Sequence, residues 1–338
     1  MKLYCGIDLH SNNHWLTVID EADKRLYERR LDNDVALTLA ALEPFREHMT
    51  VAAVESTFNW YWLVDALMAE GYQVRLVNTS AVRQYDGLKH SDDRSDAFHL
   101  AHLLRLGILP CGYIYPKEQR ALRDLLRQRT RLIQQRTAHV LNVKSTYARQ
   151  KGCTFSTDEI LGRKAAPWPI LSDPNVALAV DVHRPVLEAL NEQIERIERE
   201  VRRQLRANSR YELLQTVNGI GPVLAWTILL EVGDIGRFAS VGDFASYCRC
   251  VRSERLSNGK KKGESNQKNG NPYLAWAFME AAHFAVRLLP QAKRFYERKA
   301  RQRNKIVAIK ALSHKLARAC YFILRDEVRF MPERLFTH

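Results

Sequence analysis

"LYCGIDLHSNNHWLTVIDEADKRLYERR", residues 3–30, decides the fold. Three short runs, 3–8, 14–19 and 25–30, read as strands and are separated by the polar turns "SNN" and "EADK". Runs of that kind, punctuated by Ser, Asn and Asp, predict an antiparallel meander. Downstream, "TVAAVE" (50–55) and "QVRLVN" (73–78) are nearly unbroken apolar runs and read as buried strands. Between them the spacing predicts an amphipathic helix over 34–47 and a helix over 59–71, stopped by Gly71. A further helix follows "SDD" at 91–93. The order βββαβαβα predicts an α/β layer on a mixed sheet.

The rest of the chain has a different character. "KEQRALRDLLRQRTRLIQQRTAHVLNVKSTYARQ" (117–150) has no Pro or Gly and repeats its apolar residues at helical spacing among arginines, predicting one long basic helix. Residues 151–176, with "AAPWPILSDP", read as an irregular connection. A second long helix is expected at about 177–207, where Leu187, Leu190, Ile194 and Ile197 give a 3-4-3 pattern suited to coiled-coil-like pairing. The last third holds "GIGP" at 219–222 between two helical segments, then the polar stretch "RLSNGKKKG" (255–263), read as a loop, and ends in basic helix. Three parts result: 1–115, a long-helix region 116–207, and a mainly helical part 208–338.

Charge separates these parts. Residues 1–100 carry 10 Lys and Arg against 16 Asp and Glu, a net of −6, and residues 101–338 carry 42 against 22, a net of +20. A basic surface of that size is expected to bind a polyanion, since each phosphate contact releases counterions. No membrane-spanning helix is expected, because the longest apolar runs, such as "VLAWTILL" (223–230), are too short to span a bilayer. The six cysteines form no CxxC pair, and Cys248 and Cys250 read as ordinary thiols. With no signal-peptide pattern at "MKLYCGIDLH", a reducing, cytoplasmic setting is the expectation.

Chemistry is suggested by the acids. Asp8 ends the first strand and Glu55 ends "TVAAVE". Strand ends are where sites gather in α/β sheets. In "DDRSD", Asp93 and Asp96 share a helix face, and so do Asp92 and Asp96; spacing leaves both pairs open. Any one of these acids can simply cap the helix. Taken together they predict an acidic pocket whose mutual repulsion calls for a cation. Hard oxygen ligands favour Mg²⁺ or Mn²⁺. At "GIGP", Gly219 and Gly221 suit a helix–hairpin–helix whose amides meet a phosphate. A tight turn between helices is the alternative.

The series strand-Asp, strand-Glu, helix "DRSDA" resembles a RuvC-type, ribonuclease-H-like nuclease core. More specifically, "GIDLHSNNHWLTVID", "VESTFNWYWLVDALMAEGYQVRLVN", "DDRSDAFHLAHLL", "VNGIGPVLAWTILLEVGDIGRF" and "SNGKKKGESNQKNGNPYL" resemble, in order and spacing, the DEDD transposases of insertion-sequence family one-hundred-ten, including its eleven-eleven subgroup. That resemblance spans nearly the whole chain. It aligns Asp8, Glu55, Asp93 and Asp96 with the four metal-binding acids, and Asp92 with none. It implies that Ser257 is a nucleophile forming a covalent phosphoserine link to DNA, with Ser253 and Ser265 as poorer matches. "CRCVRSERLSNGK" stands where many members have a Gly-Leu-x-Pro segment. Asn258, Gly259, Lys260, Lys261 and Lys262 then border the scissile region, as phosphate contacts or as a solvated charge run. The resemblance further implies a structured guide (bridge) RNA pairing with donor and target DNA. It also implies a homo-tetramer in which nuclease and serine parts of different subunits meet, with the long helices as oligomer arms. Two rivals remain: a metal-dependent junction endonuclease that uses water, and a non-catalytic nucleic-acid-binding protein.

Overall fold

In the computed structural model, residues 1–82, 92–162, 168–251, 255–257, 260–263 and 269–336 are described. The chain folds as two compact units. One is Met1–Lys117 with Glu254–Asn269; the other is Glu118–Ser253 with Gly270–His338.

The first unit is built on the expected meander: β1 (Leu3–Leu9), β2 (Asn13–Ile19) and β3 (Arg25–Asp32) are antiparallel neighbours. After α1 (Val35–Leu42), β4 (Met49–Glu55) returns parallel to β1; after α2 (Tyr61–Ala69), β5 (Val74–Val77) lies parallel to β4. The five strands form one mixed sheet in the order β3-β2-β1-β4-β5. That arrangement is compatible with the ribonuclease-H-like expectation. The helix expected over 34–47 is shorter, because Pro44 has no amide to continue the α pattern, and Glu43–His48 follows as a 3₁₀ segment. A single turn, α3 (Thr79–Val82), precedes α4 (Asp93–Arg105).

Alternation along β1 divides its side chains between two faces. Leu3, Cys5, Ile7 and Leu9 enter one core with Leu42 of α1 and Leu63, Val64 and Leu67 of α2. Gly6 and Asp8 face α4 on the other side. A β-carbon on Gly6 would stand 2.0 Å from the Ala97 carbonyl oxygen and 2.7 Å from the Ala101 nitrogen. Gly6 therefore lets α4 lie directly on the strand, and buried Ala97 and Ala101 complete the seam. The helix is also gripped along its length by the β2–β3 ribbon. Asp23 accepts from Arg105 Nε at 2.6 Å and lies 2.9 Å from His102 Nδ1; Glu28 pairs with Arg94.

The second unit opens with α5 (Lys117–Lys151), matching the long basic helix. A short α6 (Thr157–Ile160) interrupts the expected irregular connection. The second long helix is divided into α7 (Pro174–Asp181) and α8 (His183–Leu205). Pro185 explains the division, since it cannot donate to the Asp181 carbonyl. The 3-4-3 stripe of α8 pairs with α5 of the same chain in antiparallel sense: Arg129 Nε donates to Glu198 Oε1 at 2.7 Å, and Arg136 donates to Asn191 at 2.8 Å. Next come α9 (Ser209–Gln215), α10 (Pro222–Val232) and α11 (Val241–Tyr247). The segment read as a loop contains a hairpin, β6 (Arg255–Ser257) and β7 (Lys260–Gly263), which belongs to the first unit. Asn258-Gly259, the dipeptide best suited to a two-residue hairpin connection, separates the two strands in sequence. The chain closes with α12 (Pro272–Leu288), α13 (Pro290–Gln302), α14 (Lys305–Asp326) and α15 (Pro332–Leu335). Leu274, Phe278, Phe244, Leu312, Leu316 and their neighbours form the helical core. Among the described residues no helix is long and apolar enough to cross a membrane.

Candidate active site

Register brings the two strand-end acids together. Ile7 of β1 is paired with Val54 of parallel β4, so the next residues, Asp8 and Glu55, stand side by side where both strands end. Their carboxyls are hydrogen-bonded, with Glu55 donating to Asp8. Burial, the hydrogen bond to Asp8 and the Asp8 charge push Glu55 up to about 8. Burial likewise raises Asp8, as do the charges of Asp96 and Asp93. Both shifts run in the direction expected where two neighbouring carboxyls resist ionising together.

The helix supplies the other two acids. Asp92 is the N-cap of α4: its Oδ1 accepts from the Ser95 amide at 2.7 Å, and the Ser95 hydroxyl closes a capping box by accepting from the Asp92 amide at 2.8 Å. Those bonds hold the Asp92 carboxyl below the usual carboxylate range. Asp93 and Asp96 lie one and four positions further on. The carboxyl of Asp96 is raised, first by desolvation and then by the charges of Glu55 and Asp93. Asp93 reaches Asp8 through His10, whose Nε2 lies 3.0 Å from Asp8 Oδ2 and 3.3 Å from Asp93 Oδ2. Among the described residues Asp8, His10 and Asp93 place three ligand-type atoms within 4.8 Å of one another. The spacing of the sequence left Asp92 and Asp93 equivalent; the fold separates them, with Asp92 engaged at the helix end and Asp93 facing the strand acids.

His10 was missed from the sequence. The available signal was its place two residues beyond Asp8, on the same side of the strand path. Its backbone is fixed: the His10 carbonyl accepts from Asn33 Nδ2 and Asn59 Nδ2, each at 3.0 Å. The donor set suits a hard divalent cation. Three carboxyls with raised affinity for protons, a fourth acid beside them and one imidazole form an uncompensated negative site, which a cation would neutralise.

The other sequence candidates lie elsewhere. Ser257 ends β6 and is paired with Lys260; Leu256 is paired with Lys261. Lys260 and Lys262 are exposed. Asn258 and Gly259 lie outside the described residues, as do Ser91, Ser253 and Ser265. The hairpin shares a compact unit with the acids. Gly219 is buried at φ +109°, where a β-carbon would meet the Ala281 carbonyl oxygen at 2.5 Å; close approach to α12 accounts for this glycine, and Gly221 is the exposed one of the pair.

Within the second unit, a buried polar node joins three helices near that hairpin in sequence. Glu231 of α10 accepts from Arg127 of α5 at 2.6 and 2.7 Å and from Asn271 Nδ2 at 2.7 Å. Asn271 also caps α12 through the Tyr273 and Leu274 amides. Its own amide donates to the Tyr247 carbonyl at 2.6 Å, and Arg249 donates to the Gly270 carbonyl at 3.0 Å.

Comparison with known proteins adds a second line of evidence. Residues 5–147 match a transposase model of the IS110 DEDD type, and residues 211–297 match one described as transposase of the IS116/IS110/IS902 family. The chain is similar to the probable family 20 transposase of Pseudomonas aeruginosa, 25% identical over 296 residues, covering 83% of this chain and 86% of that protein. It is 25% identical over 328 residues to the transposase for insertion sequence element IS1328 of Yersinia enterocolitica, covering 94% and 95%. With the transposase for IS1111A of Coxiella burnetii it shares 25% over 289 residues, covering 83% and 77%.

Proposed function

Because this chain belongs to the IS110 family of transposases, we propose that it cuts and joins DNA with a divalent-cation site of Asp8, Glu55, Asp93 and Asp96 and with Ser257 as nucleophile. The convergence of Asp93, through His10, on the hydrogen-bonded Asp8–Glu55 pair carries the acid half of this reading. The resemblance carries the serine half. A bound Mg²⁺ or Mn²⁺ would polarise a phosphate oxygen and offset the charge that develops on it. In the step itself, Ser257 Oγ attacks a backbone phosphorus and its proton passes to solvent or a neighbouring carboxylate. The bond from phosphorus to the leaving deoxyribose oxygen breaks, and that oxygen takes up a proton. The product is a phosphoserine-linked strand whose bond energy is kept for rejoining. A structured guide RNA selects donor and target by pairing, held by its backbone on the basic surface.

Denaturing gels of cleavage reactions test this. Ser257→Ala should abolish a covalent protein–DNA adduct and cleavage together, and Asp8→Ala and Glu55→Ala should do the same. Cleavage by Ser257→Ala at the wild-type rate, with free phosphate ends, would establish the water-using endonuclease instead. The resemblance implies that serine and acids of different subunits meet in a tetramer, whereas the hairpin of a single chain is already grouped with the acids. Mixing Asp8→Ala with Ser257→Ala protein separates the two: activity returns only if the site is shared between subunits.

A further inference from the structure

The α13–α14 hairpin carries a basic ridge that the proposed chemistry does not use. Between Pro290 and Lys310 the sequence has many Lys and Arg and one acid, Glu297. Helix α13 buries Ala292 and Phe295 and turns Arg294, Arg298 and Arg301 outward. Their spacing of four and three residues places them on one face, on which the half-buried Glu297 is the single acid. At the corner, Arg303 and Lys305 are exposed as well. Among the described residues none of these five forms an ion pair.

Several features make this ridge electrostatically costly on its own. Asn304 caps α14 by accepting from the Val307 amide at 2.8 Å, and the first turn of that 22-residue helix has no acid but begins with Lys305. Cations at a helix N-terminus oppose the macrodipole, where an acid would be favourable. Arg318 and Arg298 both crowd Lys315 of α14; burial first, then the Arg318 and Arg298 charges, lower the Lys315 ammonium. Lys315 is held by the Leu335 carbonyl at 2.8 Å and lies 5.3 Å from the Phe295 ring centre, with no carboxylate described beside it. A face kept only for solubility would intersperse acids, as α8 does with its Glu195–Arg199 and Glu200–Arg203 pairs. Like charges concentrated on one face, with Lys305 set against the α14 dipole, are instead relieved by a polyanion.

We infer that the ridge Arg294, Arg298 and Arg301, with the Arg303–Lys305 corner, seats the phosphate backbone of duplex DNA. Seven residues of helix span about 10 Å, which matches about three phosphates at 3.4 Å of rise each along one strand. Contacts of this kind, to backbone phosphates, set position rather than specificity. The choice of DNA over RNA rests on the transposase reading.

The experiment compares wild type with R294Q/R298Q/R301Q. Gln keeps helix propensity while removing charge. Binding to a duplex of arbitrary sequence is measured across a salt series. Loss of three phosphate contacts should flatten the slope of log K against log salt by about 2.7, at 0.9 per contact. The melting temperature should stay level or rise, since repulsion is removed. A control, R199Q/R203Q, takes charges from a face already offset by acids and should leave the slope nearly unchanged. An unaltered slope in the triple variant overturns the inference, and so does a slope that falls for folded RNA and not for duplex DNA. Wild type that binds no DNA at any salt would instead sink the transposase chemistry.

Discussion

Gly6 and Ala97 touch so closely that the sheet and the acid-bearing helix are effectively one surface: a β-carbon on Gly6 would lie 2.0 Å from the Ala97 carbonyl oxygen. Asp8 is two residues from Gly6, and Asp93 and Asp96 lie within about a turn of Ala97. The seam therefore sets the distance between the strand acids and the helix acids. Gly6→Ala must push α4 away, at a cost of about 3 kcal/mol or more. Divalent-cation affinity should fall with it. Ala97→Gly should not rescue, because the atom met is backbone; rescue in a thermal melt and cation titration would refute this account of the seam.

Adjacent aspartates should behave oppositely. Asp92→Ala removes the helix cap and should lower the melting temperature while leaving cation affinity nearly intact. Asp93→Ala should leave the melting temperature of the metal-free protein level or raised, since it removes a repelling charge, and should weaken cation binding by about 10–100-fold or more. Titration with Mn²⁺ monitored calorimetrically distinguishes them.

His10→Ala is expected to weaken cation binding by about tenfold or more with little change in metal-free stability. The Asn33 and Asn59 contacts that fix this loop go to the His10 carbonyl and survive the substitution. A large drop in melting temperature without change in cation affinity would make His10 a structural residue.

Glu55 predicts a pH signature. Its folded value is raised to about 8 against an ordinary carboxylate, so the folded protein holds a proton that the unfolded chain releases. The associated stability is fully present below the ordinary carboxylate value near 4.5 and is lost as pH rises through about 8. Relative to Glu55→Gln, the metal-free wild type should therefore melt progressively lower as pH is raised from about 5 to about 8. Added Mg²⁺ or Mn²⁺ should stabilise wild type more at the upper end of that window, because Glu55 must first lose its proton. Parallel melting curves of wild type and Glu55→Gln across the window would contradict the raised value.

In the helical unit, Glu231→Ala leaves Arg127 and Asn271 without their shared acceptor and should destabilise by about 3–5 kcal/mol. Asn271→Ala, which removes one bond to Glu231 and the α12 cap, should cost about 1–2 kcal/mol. Denaturant unfolding of both variants measures the order, and the reverse order would displace Glu231 from the centre of the node.

Local pattern alone determined much of this protein. The three-strand meander, the buried strands ending in Asp8 and Glu55, and the uninterrupted helix of residues 117–151 follow from periodicity and turn residues, which act over a few positions. The end of α1 and the division of α7 from α8 were read through as continuous helix, although Pro44 and Pro185 carry their effect in their own missing amides. Parallel pairing of β1 with β4 was not legible, because those strands are far apart in sequence; only that register sets Asp8 beside Glu55. Spacing could not choose between Asp92 and Asp93, which differ by one residue on a helix whose entry had first to be fixed by the Ser95 capping box. His10 carried only its place two residues beyond Asp8 as a signal, and its link to Asp93 formed only when α4 settled across Gly6. The residue types that can bind a cation are written in the sequence, but their convergence depends on long-range strand pairing and on a backbone contact that only a residue without a side chain permits.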